Sequence, residues 1–169
     1  MGDQTKPIMM VAIDDSNHSY YALEWALDYF FPPFAAPNHT FQLVLIHARP
    51  NPPSLLGLSG AGQGSAGQRS AHVINLVELD TKKRAQKVAD RATSICAKRE
   101  VNNVPVHVMQ GDPRNVMTEA VERFHPTILV LGSRGYGSVK RAVLGSVSDY
   151  SAHHCSCTVM IVKMPKSKH

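Results

Sequence analysis

Cysteine is scarce in this chain: three among 169 residues, at positions 96, 155 and 157. An odd and sparse set cannot form the framework of a disulfide-stapled secreted domain, so a reduced compartment, cytosolic or nuclear, is expected. Long apolar runs are missing as well. No run approaches the roughly 20 residues that cross a bilayer, and no membrane partner is expected. Residues 1–7 are polar and lack the apolar core of a secretory signal, and Lys6 stands where a myristoylation signal needs Ser or Thr. Without a secretory route, the sequons Asn17-His18-Ser19 and Asn38-His39-Thr40 carry no meaning. Charge of one sign is only mildly in excess, at +5, and part of that excess lies in the tail, residues 164–169. Aromatic residues interleaved with a basic stripe are absent, which argues against a nucleic-acid surface.

What remains is the composition of a folded domain, 43% apolar and 18% charged, in a chain long enough for one substantial core. Five short apolar runs, at 8–13, 41–47, 104–109, 127–131 and 158–163, show little alternation. Such runs suit strands buried on both faces of a parallel sheet. Helical spacing fills the intervals. Ala22, Trp25, Ala26, Tyr29 and Phe30 predict one stripe of a first helix against the sheet. Val73, Leu76, Val77, Val88, Ala92, Ile95 and Cys96 predict the same for a long charged helix over about 71–100. Asp112 and Pro113 announce a third helix, which Phe124-His125-Pro126 stops, and a last helix is expected over 146–154. Strands alternating with helices imply a doubly wound open sheet.

Residues 49–70 break the rhythm, being rich in Pro, Gly and Ser, and read as a surface loop. Gly62-x-Gly64-x-x-Gly67 within it matches a dinucleotide fingerprint by letter. It lacks the strand before and the helix after that the fingerprint requires.

The fourth run is different, because it leads directly into Gly132-Ser133-Arg134-Gly135-Tyr136-Gly137 and then Gly145-Ser146-Val147-Ser148. Glycines let backbone amides approach an anion, and a helix opening at Ser146 presents unpaired N–H groups and the positive end of its dipole. Ser146 and Ser148 add hydroxyls, and Arg134, Lys140 and Arg141 add positive charge. On glycine content alone, an anion cradle and a tight strand-to-helix turn are equally good readings. The lysine of a P-loop is missing, which argues against a motor-like or switch-like NTPase.

Among other candidates, Asp14 and Asp15 end the first run, where one carboxylate suits ligand binding and the other caps a helix with Ser16 or is solvated. His153-His154-Cys155-Ser156-Cys157 lacks zinc-finger spacing and reads as a helix end complementing its dipole. His47 reads as a satisfied core histidine, and no Ser, His and acid set sits in a nucleophile-elbow context.

The spacing Gly132-x-x-Gly135-x9-Gly145-Ser146 resembles the ATP-binding signature of the universal stress protein family. The likeness extends to Val11-Ala12-Ile13-Asp14-Asp15-Ser16, Ala22-Leu23-Glu24-Trp25-Ala26-Leu27, Leu45-Ile46-His47-Ala48, Gln110-Gly111-Asp112-Pro113 and Val159-Met160-Ile161-Val162, and so covers about residues 7–163. The plant members are the nearest in pattern. The resemblance implies one Rossmann-like domain whose five parallel strands run in the order 3-2-1-4-5, placing the ends of strands 1 and 4 at the switch point. It also implies a site for ATP or AMP. Ala12, Ile13 and Asp14 would line ribose and adenine, and Asp14 would bind ribose or help hold a Mg2+ carried by the nucleotide. Ala48 and Leu131 would flank adenine, while Gly132, Arg134, Gly135, Gly145, Ser146, Val147 and Ser148 would surround the phosphates. It implies further a homodimer through the last strand, Val159 to Val162, since an uncovered apolar edge invites pairing. The function implied is that of a nucleotide-binding regulatory or stress-response protein acting on unknown protein partners. The alternatives are a slow ATPase or nucleotidyl-transfer enzyme, and a chaperone-like module that leaves the pocket unused.

Overall fold

The computed structural model describes residues 5–52, 65–134 and 144–166, with side chains from residue 71 onward in the helix that begins at Ser65. The strands are β1 (Ile8–Ala12), β2 (Gln42–Arg49), β3 (Val106–Gln110), β4 (Ile128–Gly132) and β5 (Thr158–Val162). The helices between them are α1 (Asn17–Phe30), α2 (Ser65–Lys98), α3 (Pro113–Phe124) and α4 (Ser146–His154), with a 3-10 turn at Pro33–Ala35. All strand pairs are parallel, and the order across the sheet is β3-β2-β1-β4-β5.

The weak alternation of the strands follows from burial on both faces. Met9, Val11 and Ile13 join Leu43, Leu45 and Val130 in a core filled by α1 and by Val88, Ala92, Ile95 and Cys96 of α2. Met10, Val44, Ile46, Leu129 and Leu131 point the other way, onto Val116, Met117, Ala120 and Val121 of α3. Each helix is ended by its own residues. Ser16 caps α1 by accepting from the Ser19 amide, and Asp112 caps α3 by accepting from the Arg114 amide. His125, left-handed at φ 46°, closes α3. The Glu100 and Val101 amides, donating to Ala97 and Cys96, close α2 with Glu100 at φ 61°.

Two expectations need correction. On α1 the stripe against the sheet is Ala22, Leu23, Ala26 and Leu27, whereas Tyr29 is exposed and stacks 4.6 Å from Trp25. Trp25 and Phe30 are half-buried and pack against that core. On α2 the error is larger. The helix begins at Ser65, so Gly67 of the apparent fingerprint is a helical residue, and Val73, Leu76 and Val77 are exposed. Length explains this. Thirty-four residues make a helix about 51 Å long. The eight residues of β2, the longest strand, span only about 26 Å. The first half of α2 therefore has no sheet beneath it.

Candidate functional site

The order β3-β2-β1-β4-β5 reverses direction between β1 and β4. The carboxyl ends of the strands at this switch point are where open α/β sheets take their ligands. At this point one pleat face is apolar. Leu131 is buried in the α3-side core, and Ala12, Ala48 and Val147 lie half-buried against the same cluster. Four of the residues singled out in the sequence are thus brought together. Met109 joins them, as the register partner of Ala48 and a member of the same cluster. The sequence reading missed it, because only the pairing of β3 with β2 puts Met109 beside Ala48. Ile13 does not join them. Its side chain is buried in the opposite core, and its backbone is spent on the Ile46 carbonyl (2.9 Å) and on His47 Nδ1 (2.8 Å). His47, buried with Nδ1 bonded to the Ile13 carbonyl, is a satisfied core histidine.

Just past β1, Asp14 is held rigidly. Its Oδ1 accepts from the Ser16 amide at 2.9 Å and from the Ser16 hydroxyl, while Ser19 Oγ accepts from the Asp14 amide at 3.1 Å and donates to the Asp14 carbonyl at 2.9 Å. The spacing Asp14-x-Ser16-x-x-Ser19 therefore builds the turn from β1 into α1. The cap itself is Ser16 supported by Asp14, while Asp15 is exposed. Tyr20 lies beneath, its hydroxyl pushed above the ordinary phenol range by burial and then by the Asp15 and Asp14 carboxylates.

Across the switch point, Gly132 ends β4 where the first turn of α1 crosses it. A Cβ there would meet the His18 carbonyl oxygen at 2.7 Å and the Ser19 amide at 3.1 Å. This glycine serves close backbone packing. Ser133 and Gly145 then pin the two ends of the glycine loop. The Ser133 amide donates to Val162, the Gly145 amide donates to the Ser133 carbonyl at 2.7 Å, and Ser148 Oγ donates to the Gly145 carbonyl at 3.0 Å. Ser148 is buried and acts as a clasp. Arg134 is half-buried at the start of the loop. Gly135, Tyr136, Gly137, Lys140 and Arg141 lie outside the described residues.

The three helices α1, α3 and α4 differ at their starts. Side chains cap α1 and α3, but α4 begins at Gly145 in extended backbone with no side-chain cap. Its positive dipole end and first amides begin here, beside exposed Ser146, with no side-chain cap from Gly145. Asp149 in the first turn opposes an anion there, with His153 Nδ1 at 4.0 Å from its carboxylate. His153 and His154 bond back to the carbonyls of Asp149 and Tyr150. No group of three His, Cys, Asp or Glu side chains suited to a metal is found among the described residues.

A five-stranded parallel sheet in this order, wrapped by helices, defines a Rossmann-like α/β domain. The chain belongs to the universal stress protein family, whose model matches residues 7–163. Among curated relatives it is 28% identical to universal stress protein PHOS34 of Arabidopsis thaliana and 30% identical to PHOS32 of the same plant, over 94% of this chain in each case. It spans only 62% and 65% of those two proteins. A solved universal stress protein family protein of Arabidopsis thaliana with AMP bound superposes with a TM-score of 0.63, at 21% identity, covering 94% of this chain and 92% of the other.

Proposed function

We propose that this switch point binds an adenine nucleotide, ATP or AMP, and that the chain is a nucleotide-binding regulatory protein of the stress-response family. The observation that carries this reading is the meeting of two unlike surfaces at the switch point. The apolar cluster with Ala12, Ala48, Met109 and Leu131 suits a flat, apolar base, and the uncapped start of α4 suits a phosphate. The bound AMP of the solved relative supports the same ligand class.

In this reading the base lies against the apolar cluster, Asp14 meets the ribose, and the amides of Ser146 and Val147 meet the phosphates, with Arg134, Gly135 and Gly145 in the same phosphate set. Ser148 and Gly132 act at one remove, by holding the loop and α1 in register. Ile13 contributes only main chain. Asp14 is the one carboxylate proposed for a Mg2+, and Ser16 already occupies one of its oxygens, so such an ion would be held mainly by phosphates and water. Pairing of β5 edges through Val159–Val162, a cytoplasmic or nuclear location and nucleotide-dependent contact with protein partners belong to the same proposal.

Titration calorimetry with AMP and with ATP, with and without magnesium, tests it. Saturable binding is expected, and no heat at millimolar nucleotide would overturn the reading. Incubating the complex and assaying for ADP or AMP separates a binding protein from a slow ATPase, and sedimentation across a concentration range tests the dimer.

A further inference from the structure

Cys155 caps the end of α4 and β5 begins directly after Cys157, so a Cys-x-Cys pair is held at the joint between two ordered elements. Both are free thiols, half-buried, and both pack on the α3-side cluster with Phe124 and Val159. Residues two apart in sequence have Cα atoms at most about 7 Å apart. The two sulfurs are close enough to interact. Burial and then the neighbouring Cys157 push the Cys155 thiol above its ordinary range, while the Ser151 hydroxyl opposes them. Burial raises the Cys157 thiol as well.

Ser151 supplies an independent sign of a ligand. It is fully buried, one turn before Cys155 on the same side of α4, and its Oγ has no well-formed hydrogen bond among the described residues. A buried hydroxyl normally has a partner. The group it influences is the Cys155 sulfur, a weak acceptor as a thiol and a strong one as a thiolate. The arrangement is complete only when that thiol has lost its proton, and a bound metal brings this about.

Coordination number narrows the metal. No group of three His, Cys, Asp or Glu side chains suited to one is found among the described residues. His153 and His154, although adjacent, direct Nδ1 to the Asp149 and Tyr150 carbonyls, and His154 stacks on Tyr150 at 3.9 Å. Two sulfurs alone do not meet the tetrahedral preference of Zn2+. Cu(I) is a soft ion that selects thiolates, and two in a line satisfy it. At a metal–sulfur distance of about 2.3 Å such sulfurs stand about 4.6 Å apart, within reach of residues two apart in sequence.

We propose that Cys155 and Cys157 form a two-sulfur site for Cu(I), with the Ser151 hydroxyl donating to the Cys155 sulfur. Both thiols lose their protons on binding, so two protons leave for each ion taken. Partial exposure of the pair lets the ion enter without unfolding. The site stands apart from the nucleotide proposal, which assigns no role to any of these three residues.

Anaerobic titration of the reduced full chain with the Cu(I)–bicinchoninate complex tests the proposal, since loss of the complex's colour counts the ions withdrawn. One ion per chain is expected, with X-ray absorption showing two sulfur neighbours and no nitrogen. Cys155→Ser and Cys157→Ser should each weaken binding at least about 100-fold, beyond what loss of an outer partner costs. Cys96→Ala should still take one ion. Ser151→Ala should keep the two-sulfur spectrum and weaken binding about tenfold, as loss of an outer partner does. No withdrawal of copper overturns the proposal, as does binding that survives both serine variants. Half an ion per chain would place the metal between two copies, and nitrogen in the spectrum would bring in a histidine; either result overturns it. Failure to take Cu(I) while diamide links Cys155 to Cys157 would assign the pair to disulfide exchange, with the same consequence.

Discussion

Gly132 lets α1 cross β4, since a Cβ there would meet the His18 carbonyl at 2.7 Å. The neighbour is backbone and cannot step aside as a flexible side chain would. Gly132→Ala should therefore lower stability by about 1–3 kcal/mol through overpacking, measured by chemical denaturation. Nucleotide affinity should fall with it, as α1 shifts and carries Asp14 along. Unchanged stability would return the glycine to the phosphate. Cys96 offers a second test. Burial pushes its thiol up to about 12, from an ordinary 9.0. Between those values the unfolded chain loses the proton and the native chain keeps it. The contribution is fully present below pH 9.0 and is lost as pH rises toward 12. Stability should decline above about pH 9, and replacing Cys96 with Ala should flatten that decline while lowering the plateau. At neutral pH the native thiol should resist disulfide reagents until the protein is unfolded.

Among the elements, α3 was the most legible from sequence, because Asp112, Pro113 and the stop at Phe124-His125-Pro126 act through neighbouring residues alone. Asp112→Ala should cost about 1 kcal/mol. The Arg114 side chain and amide hold the Asp112 carboxyl below the usual carboxylate range. This group's contribution is thus present above the ordinary carboxylate pKa and fades as pH falls through the native one, so the mutant and wild type should converge in strong acid. The pair is exposed, so the ion pair itself adds little and the cap bond most of the effect. The strands were equally legible, since burial on both faces writes itself as unbroken apolar runs. α2 was not. Val73 and Leu76 repeat with the correct spacing for a core helix, but periodicity reports only that a face is apolar and not what lies beneath it. Nor could sequence show Met109 beside Ala48, which is a fact of strand register, or distinguish the clasp of Ser148 from a ligand contact. Ala12, Ala48, Leu131 and Val147 were legible as candidates that share one cluster, but not the roles proposed for them.

For the whole molecule, the proposed ligand bridges parts of the fold that are far apart in sequence: the end of β1, the end of β2, and the start of α4. No one of these can bind it alone, so binding must be coupled to global folding. Nucleotide at 100 times its Kd should then stabilise the native state by about 2.7 kcal/mol. For a chain of this length that corresponds to roughly 5–10 °C in Tm. A simple anion site at α4 would behave otherwise, because phosphate alone should reproduce much of the shift and adenosine none of it. If the apolar cluster and the helix start act together, adenosine and phosphate should each give a small shift, and AMP should exceed their sum, since one molecule engages both surfaces for a single loss of translational freedom. Thermal denaturation with adenosine, phosphate, both together, and AMP reads this directly. An AMP shift no larger than that of the mixture would mean that apolar cluster and helix start are not one site.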